Sequence, residues 1–249
     1  MPRKASPAHE EEMASSTRLG SSKAPKPKVP VDARPGGADD LTRLALNACL
    51  IARDAAFNVR DLITNSSRMA FLAIKDCEKE LDLIERQIDE RLPAAITRVN
   101  EVRARQLLSS LKCTTDLERI GDLVMSVAMR VQVRTAKIPA SDMRQLVEMS
   151  SVLREMLDLI HKGFSTLDLE CARQVLQMDK EVDRVCHAMF QKHLAETSAP
   201  GDPAGFDVLL MAQALERAGD HTTNLAEELY SLIEGRSLRH APKKKANQG

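Results

Sequence analysis

The sequence LERIGD at Leu117–Asp122 returns almost unchanged as LERAGD at Leu215–Asp220, 98 positions further along a chain of 249 residues. Each copy has a carboxylate at its second position and another four residues on, with a glycine directly before the second acid. Residues four apart are neighbours on one face of an α-helix. The two stretches therefore predict a duplicated helical fold in which each copy carries a pair of adjacent acids.

The composition favours helices and excludes several classes of protein. Aromatic residues make up 2% of the chain, whereas β-sandwiches and barrels are rich in aromatic and β-branched residues. Lysine plus arginine equals aspartate plus glutamate at 36 each, and this zero net charge argues against a general nucleic-acid binder. The five cysteines show no CxxC spacing, which is typical of small buried residues in a reducing cytosol.

The two ends of the chain have the composition of unstructured segments. Residues 1–39 are rich in Pro, Ser, Lys and Glu and lack apolar periodicity, so they are predicted to be a disordered extension. Residues 237–249 contain three consecutive lysines and are predicted to be a basic disordered tail. The N-terminus has no apolar stretch typical of a signal peptide, and no run reaches the ~20 residues of a membrane span. We therefore expect a cytoplasmic protein without direct membrane insertion.

Between these ends, apolar residues recur at helical spacing and predict six helices. Ser67 and Ser141 are predicted N-caps, Pro93 is expected to end the second helix, and Gly235 is suited to follow the last one. The clearest loop covers 197–203. The predicted helices run from about 41 to 63, 68 to 92, 100 to 137, 142 to 165, 168 to 196 and 205 to 234.

The two halves align with each other as an internal repeat. Moving the first half forward by 101 positions superimposes its first two helices on the fourth and fifth, and Arg53 falls on Arg154. The third and sixth helices align at an offset of 98 through the two opening motifs. The predicted fold class is therefore all-α, a tandem duplication of two three-helix bundles over 40–138 and 141–236.

Each half contains two acid pairs with the spacing (Glu/Asp)-x-x-x-Asp. Like charges four residues apart destabilise a helix by a few tenths of a kcal/mol, so four pairs at repeat-matched positions favour a compensating cation. Oxygen ligands suit Mg²⁺, Mn²⁺ and iron and tolerate Zn²⁺. The glycine before the last Asp could make room for close helix approach or for a metal-bound water. The predicted metal ligands are Glu78, Asp82, Glu118 and Asp122 in the first half and Asp179, Asp183, Glu216 and Asp220 in the second.

Plainer interpretations of the same residues stay open. Acid pairs also occur on solvated helix faces, and Arg119 and Arg217 could simply neutralise the acids beside them. His221 is a candidate ligand or supporting group next to Asp220, although a lone histidine on a helix is more often a surface residue. Di-metal oxidases of helical bundles need paired Glu-x-x-His motifs, and none is present. With no phosphate loop or nucleophile elbow either, the chain is predicted not to be an enzyme.

The run LERAGDHTTNLAEE at Leu215–Glu228 resembles the signature of PhoU proteins, the phosphate-uptake regulators, whose usual form is close to LERIGDHATNIAEE. Leu117–Ala128 resembles a weaker first copy of that signature. The acidic segments Glu78–Asp82 and Asp179–Asp183 resemble the other motif of the family. The resemblance covers roughly residues 40–236 and leaves out the N-terminal extension.

The first copy departs from the family pattern beside its acids. Leu123–Ser126 stands where the second copy has His221–Asn224, so the polar neighbours of the acids are lost. We therefore expect the second bundle to hold the better-occupied metal site. The candidate supporting residues are Arg119, Arg217, His221 and Asn224.

The resemblance implies PhoU-like bundles, often dimeric, with multinuclear clusters of iron, zinc, manganese or magnesium on the acid pairs. It also implies a negative regulator of phosphate uptake and phosphate-starvation signalling that contacts the transporter ATPase subunit and the sensor histidine kinase. Two alternatives stay open: a metal-independent helical interaction module, and an accessory protein of a low-affinity phosphate permease.

Overall fold

The computed structural model describes residues 37–196 and 203–235, and over these residues it contains six α-helices and no strand. The N-terminal extension before residue 37, the loop 197–202 and the basic tail lie outside the described residues. No helix in the described part of the chain is long and apolar enough to cross a membrane. The helices are α1 (Gly37–Asn65), α2 (Arg68–Ile96), α3 (Glu101–Val133), α4 (Ala140–Thr166), α5 (Leu169–Glu196) and α6 (Pro203–Glu234).

The helices pack as two bundles of three that meet along two contacts. Helices α1, α2 and α3 contact one another, and so do α4, α5 and α6. Between the bundles, α1 packs on α4 and α3 packs on α6. Among the described helices, the outer helices α2 and α5 each pack only on helices of their own bundle. The predicted fold class, an all-α tandem of three-helix bundles, is confirmed.

Each helix buries a stripe of apolar residues three or four positions apart, which is the spacing of one helix face. Four of the five cysteines are buried in this core and all five are free thiols, as the composition predicted. The buried stripe of α1 is Leu41, Ala45, Ala48, Ala52, Ala55, Val59 and Leu62. In α4 it is Leu146, Met149, Leu153, Met156, Leu157 and Ile160.

Two predicted helix ends are confirmed by their hydrogen bonds. The Ser67 hydroxyl accepts a hydrogen bond from the Ala70 backbone N–H at 3.2 Å and so caps α2. Gly235 follows α6 with φ of +69°, a left-handed conformation that glycine adopts without strain, and its N–H donates to the Ser231 carbonyl at 3.0 Å.

Other helix ends differ from the prediction. Helix α2 continues through Pro93 to Ile96, although a proline at this position removes one hydrogen bond of the helix. Helix α4 begins at Ala140 after Pro139, so Ser141 does not cap it and instead accepts a hydrogen bond from Lys192 Nζ at 2.7 Å. Helix α3 ends at Val133, since the residue that follows is extended.

A buried charged cluster joins α4 to α5 at one end of the second bundle. The Asp142 side chain is fully buried, and its two oxygens lie 2.7 Å from Lys192 Nζ and 3.2 Å from His193 Nε2. The repeat-equivalent positions of Asp142 and His193 in the first bundle are Leu41 and Leu92, both buried. These two positions are therefore apolar in the first bundle and polar in the second.

We predict that Asp142→Leu lowers the free energy of unfolding by about 3 kcal/mol, because it leaves Lys192 and His193 without their carboxylate. Adding His193→Leu, which copies the apolar pair of the first bundle, should recover at least half of this loss, since well-packed apolar residues replace buried ion pairs without penalty. Urea unfolding of the three proteins measures both effects. Equal midpoints for wild type and Asp142→Leu would show that the cluster adds nothing to stability.

Candidate metal-binding site

The contacts of α2 with α3 and of α5 with α6 gather the eight predicted acids into two groups of four. Each group joins one acid pair from each of two neighbouring helices. The acids of a group influence one another's ionisation across the helix contact, as the pKa shifts below show. Four acids can share one site only if the two helices that carry them lie side by side, and this packing is present in both bundles.

In the first group the pKa values of two glutamates are raised. Burial raises the pKa of Glu78, and the charges of Asp82 and Asp122 raise it further. Burial also raises the pKa of Glu118, with added contributions from Asp122, Glu85 and Asp82. The spacing of the motifs did not identify Glu85, which lies three residues beyond the second-helix pair.

In the second group the same effect is stronger. Burial, followed by the charges of Asp183, Asp220 and Glu216, raises the pKa of Asp179 to about 6. Burial also raises the pKa values of Glu216 and Asp220, each with the neighbouring acids as the next cause. The Oδ1 atom of Asp179 is buried and accepts no hydrogen bond from any described residue.

The glycine before the last acid of each motif allows the two helices to approach closely. A Cβ atom on Gly219 would lie 2.9 Å from Asp179 Oδ1, and one on Gly121 would lie 2.6 Å from Leu81 Cδ1. These distances are too short for real Cβ atoms. The first of the two roles suggested for this glycine, room for close helix approach, is therefore seen in both bundles.

The donor set of the second group suits a hard cation. It offers carboxylate oxygens at an apolar helix contact, and the unpartnered Asp179 Oδ1 is a buried acceptor that a positive ion would satisfy. Across the described residues, no three His, Cys, Asp or Glu side chains already stand close enough together to hold a metal ion. Binding would therefore require rotation of these carboxylates towards a common point.

Arginines neutralise the first group more fully than the second. Asp82 forms an ion pair with Arg86 at 3.0 Å, and Arg119 lies 3.6 Å from Glu118 and 3.7 Å from Asp122. Arg119 thus acts as the neighbouring counter-charge that the plainer interpretation proposed.

The second group lacks equivalent ion pairs among the described residues. The position that matches Arg86 is His187. Arg217 lowers the pKa of Glu216 and of Asp220 in part, but it forms no ion pair within 4.0 Å of a described acid. The second group therefore retains more uncompensated negative charge than the first.

His221 and Asn224 form hydrogen bonds across the contact between the two bundles. His221 Nδ1 lies 2.8 Å from Asp116 Oδ1, and Asn224 Nδ2 donates to the same oxygen at 3.1 Å. Asp116 belongs to α3 of the first bundle. The two residues therefore form a hydrogen-bonded connection between the bundles, and their support of a metal stays a prediction.

Two further polar contacts accompany this connection among the described residues of α3 and α6. Lys112 Nζ donates to Glu228 at 3.1 Å, and Arg130 donates to Asp207 at 3.2 Å. Partner numbers on α6 fall as those on α3 rise, so the two helices run antiparallel. The equivalent of Asp116 in the second half is Ala214, which is why the repeat alignment gave no sign of this contact.

The sequence matches the family described as the PhoU domain twice, over residues 42–131 and 146–229. The chain belongs to the PhoU family. The two matched segments fall on the two bundles and include all eight acids. The family expectation drawn from the LERIGD and LERAGD motifs is thus confirmed.

Individual relatives agree with this assignment. The chain is 32% identical over 191 residues to the phosphate-specific transport system accessory protein PhoU homolog of Rhizobium meliloti (strain 1021), covering 72% of this chain and 78% of that protein. It is 30% identical over 168 residues to the homolog of the same name from Caulobacter vibrioides (strain NA1000 / CB15N), covering 65% and 72%.

Solved structures show the same fold at lower sequence identity. The crystal structure of PhoU from Pseudomonas aeruginosa matches with a TM-score of 0.70 at 22% identity and covers 81% of this chain and 99% of that chain. The phosphate transport system regulatory protein PhoU from Streptococcus pneumoniae matches with a TM-score of 0.69 at 20% identity, covering 81% and 97%.

We predict that Asp179→Asn stabilises the metal-free protein at pH 7.5 by about 1 kcal/mol, allowing for the solvent screening of a half-buried group. The folded protein keeps a proton on Asp179 up to pH about 6, whereas the unfolded chain releases it near the ordinary value of 3.8. The penalty for ionising Asp179 therefore grows as the pH rises from about 4 to about 6, is fully present above that range and vanishes below it.

Urea unfolding at pH 7.5 and pH 4 measures this difference in the presence of a chelator. Glu181→Gln is the matched control, since Glu181 is exposed two residues away and its hydrogen bond with Arg184 lowers its pKa. The control should show no gain. A gain for Asp179→Asn that is equally large at pH 4 would contradict the assigned cause.

We predict that Asp116→Ala lowers the free energy of unfolding by about 1 to 2 kcal/mol, because two charge-assisted hydrogen bonds between the bundles are lost. Thr115→Ala, on the exposed neighbouring position, should change it by less than about 0.5 kcal/mol. In a His221→Ala/Asn224→Ala background the effect of Asp116→Ala should largely disappear. Thermal unfolding of this double-mutant cycle is the measurement, and strict additivity would argue against the contact.

Proposed function

We propose that this PhoU-family chain is a metal-binding negative regulator of phosphate uptake and phosphate-starvation signalling. It acts without enzymatic activity, as a cytoplasmic helical adaptor between the ATPase subunit of a phosphate transporter and a sensor histidine kinase. The names of its relatives, which are accessory and regulatory proteins of phosphate transport systems, support the biological role. The acid groups on α2/α3 and α5/α6 support the metal binding.

The single observation that carries the metal proposal is the state of Asp179. Its Oδ1 is buried without a hydrogen-bond donor among the described residues, and burial together with three neighbouring acids raises its pKa to about 6. A bound cation would satisfy this oxygen and remove the repulsion among the four carboxylates. In physical terms it would link α5 to α6, and an ion at the first group would link α2 to α3.

The expected metals are those that carboxylate oxygens prefer, namely iron, manganese or magnesium, with zinc tolerated. The second group should bind more tightly, since less of its negative charge is already neutralised by arginine. Glu216 and Asp220 on α6, with Asp179 and Asp183 on α5, would be the ligands. The first group, paired with Arg86 and Arg119, should hold its metal more weakly.

The adaptor role requires contact surfaces, and the fold presents exposed apolar side chains on several helices. Phe57 on α1, Val133 on α3 and Phe206 on α6 are more than half exposed. Side chains of this type are enriched at protein–protein contacts. They are available for the ATPase subunit, the kinase or a second copy of the chain in a homodimer.

We predict that the protein purified without added metal contains at least one iron, zinc, manganese or magnesium ion per chain. The double variant Glu216→Ala/Asp220→Ala should lose the more tightly held metal, because it removes half of the second group's ligands. The repeat-matched variant Glu118→Ala/Asp122→Ala should retain it. Elemental analysis of the three proteins decides the matter. Less than one metal per chain, unchanged in both variants, would overturn metal binding.

The adaptor role is tested separately by pull-down of the transporter ATPase subunit and the kinase. We expect wild-type protein to retain them, with retention reduced by chelator and by Glu216→Ala/Asp220→Ala. Retention that chelator leaves unchanged but high salt abolishes would favour a metal-independent interaction module. Retention of a low-affinity phosphate permease in place of the ATPase and kinase would favour the permease accessory role.

A further inference from the structure

A small cavity lies where the two bundles meet, away from both acid groups. It has a volume of about 70 Å³. Its walls come from α1 and α3 of the first bundle and from the C-terminal ends of α4 and α6 of the second. At about 10 to 15 Å³ for each water-sized position, the cavity has room for about five to seven heavy atoms.

The cavity contains one buried hydroxyl, that of Ser109, with at most a weak partner in the described part of the chain. Ser109 is 3% exposed, and its Oγ forms no hydrogen bond with an oxygen or nitrogen atom of a described residue. The neighbouring Cys113 thiol is at most a weak partner. Ser110 lines the same cavity, but its hydroxyl donates to the Gln106 carbonyl at 3.0 Å. An unsatisfied buried hydroxyl costs about 1 to 3 kcal/mol, which a molecule bound in the cavity would recover.

The rest of the lining is uncharged and mostly apolar. It includes Ala45, Phe164 and Leu232 from three different helices. The thiols of Cys49 and Cys113 also line it, and burial raises the pKa of Cys49 to about 12, so this thiol stays neutral. A charged ligand would have no counter-charge here, whereas an uncharged apolar molecule would be well matched.

Leu167 lines the cavity in a conformation that leucine rarely adopts. It ends α4 with φ of +53° and ψ of +47°, and its side chain is 54% exposed. The equivalent turn of the first bundle has the same left-handed conformation at Ser66, with φ of +49°. The turn thus accounts for the left-handed backbone conformation of Leu167. It does not account for the presence of a large apolar side chain at this strained and exposed position. A ligand against which this side chain packs would explain it.

We propose that this cavity is a binding site for a small uncharged molecule with an apolar body and one hydroxyl group. The hydroxyl pairs with Ser109, and the apolar body packs against the cysteines, Phe164 and Leu167. Such a ligand touches both bundles at once, so it acts on their packing. The proposal does not depend on the metal sites.

The test uses 1-pentanol, which has six heavy atoms and one hydroxyl, with the full-length protein. Ligand-observed NMR titration should show saturable binding to wild type. Ser109→Ala should weaken it about fivefold, the value of one hydrogen bond of about 1 kcal/mol. The matched control Ser110→Ala should stay within about twofold of wild type, because its hydroxyl is already bonded. Binding of 1-chloropentane, which lacks the hydroxyl, should be the same in both variants and wild type.

A second variant tests the location independently of the hydrogen bond. Ala45→Met places a larger side chain into the cavity and should abolish 1-pentanol binding, with circular dichroism confirming that the helices remain. Undetectable binding to wild type would overturn the proposal. Equal weakening by both serine variants would do so as well, and so would a crystal soaked in 1-pentanol that shows only water on Ser109.

Discussion

The close approach of α3 to α2 and of α6 to α5 is the constraint on which the acid groups depend. Gly121 and Gly219 lie at these contacts, and a Cβ at either position would displace the end of the Leu81 or Asp179 side chain on the facing helix. The approach brings acids of the facing helices into partly buried positions, where burial is the largest cause of their raised pKa values. The close approach at the glycines thus places the carboxylates where water stabilises their negative charge poorly. The arrangement costs the metal-free protein stability, and a bound cation would offset that cost.

The two bundles have the same arrangement of helices but differ in the side chains at equivalent positions. One end of the first bundle is closed by Leu41 and Leu92, and the equivalent end of the second by a buried Asp142 cluster. The acid group is balanced by nearby arginines in the first bundle, whereas the second has no equivalent ion pairs among the described residues. The repeat therefore fixes where the helices lie, while each copy is free to differ in the electrostatics of its interior.

The sequence predicted the parts of the structure that depend on local pattern. Helix positions, the Ser67 cap and the grouping of acid pairs follow from spacing along one helix or from the repeat. The contact of Asp116 with His221 does not, because it depends on the antiparallel register of α3 and α6, and neither half contains both partners. Continuation of α2 through Pro93 was missed for a related reason. Pro93 indicates a helix end from local sequence alone, whereas its neighbour Leu92 is buried in the tertiary core, which the local sequence does not show.

The outer helices are held by fewer neighbouring helices than the central ones. Helices α2 and α5 each pack on two neighbours, whereas α1, α3, α4 and α6 each pack on three. Elements with fewer tertiary contacts open at lower free energy than the centre of the same domain. Both acid groups lie between a loosely anchored helix and a firmly anchored one. A cation bound there would make the outer helix detach less often. A partner that binds the outer helix would then distinguish the metal-bound protein from the metal-free one, while the central helices stay in place.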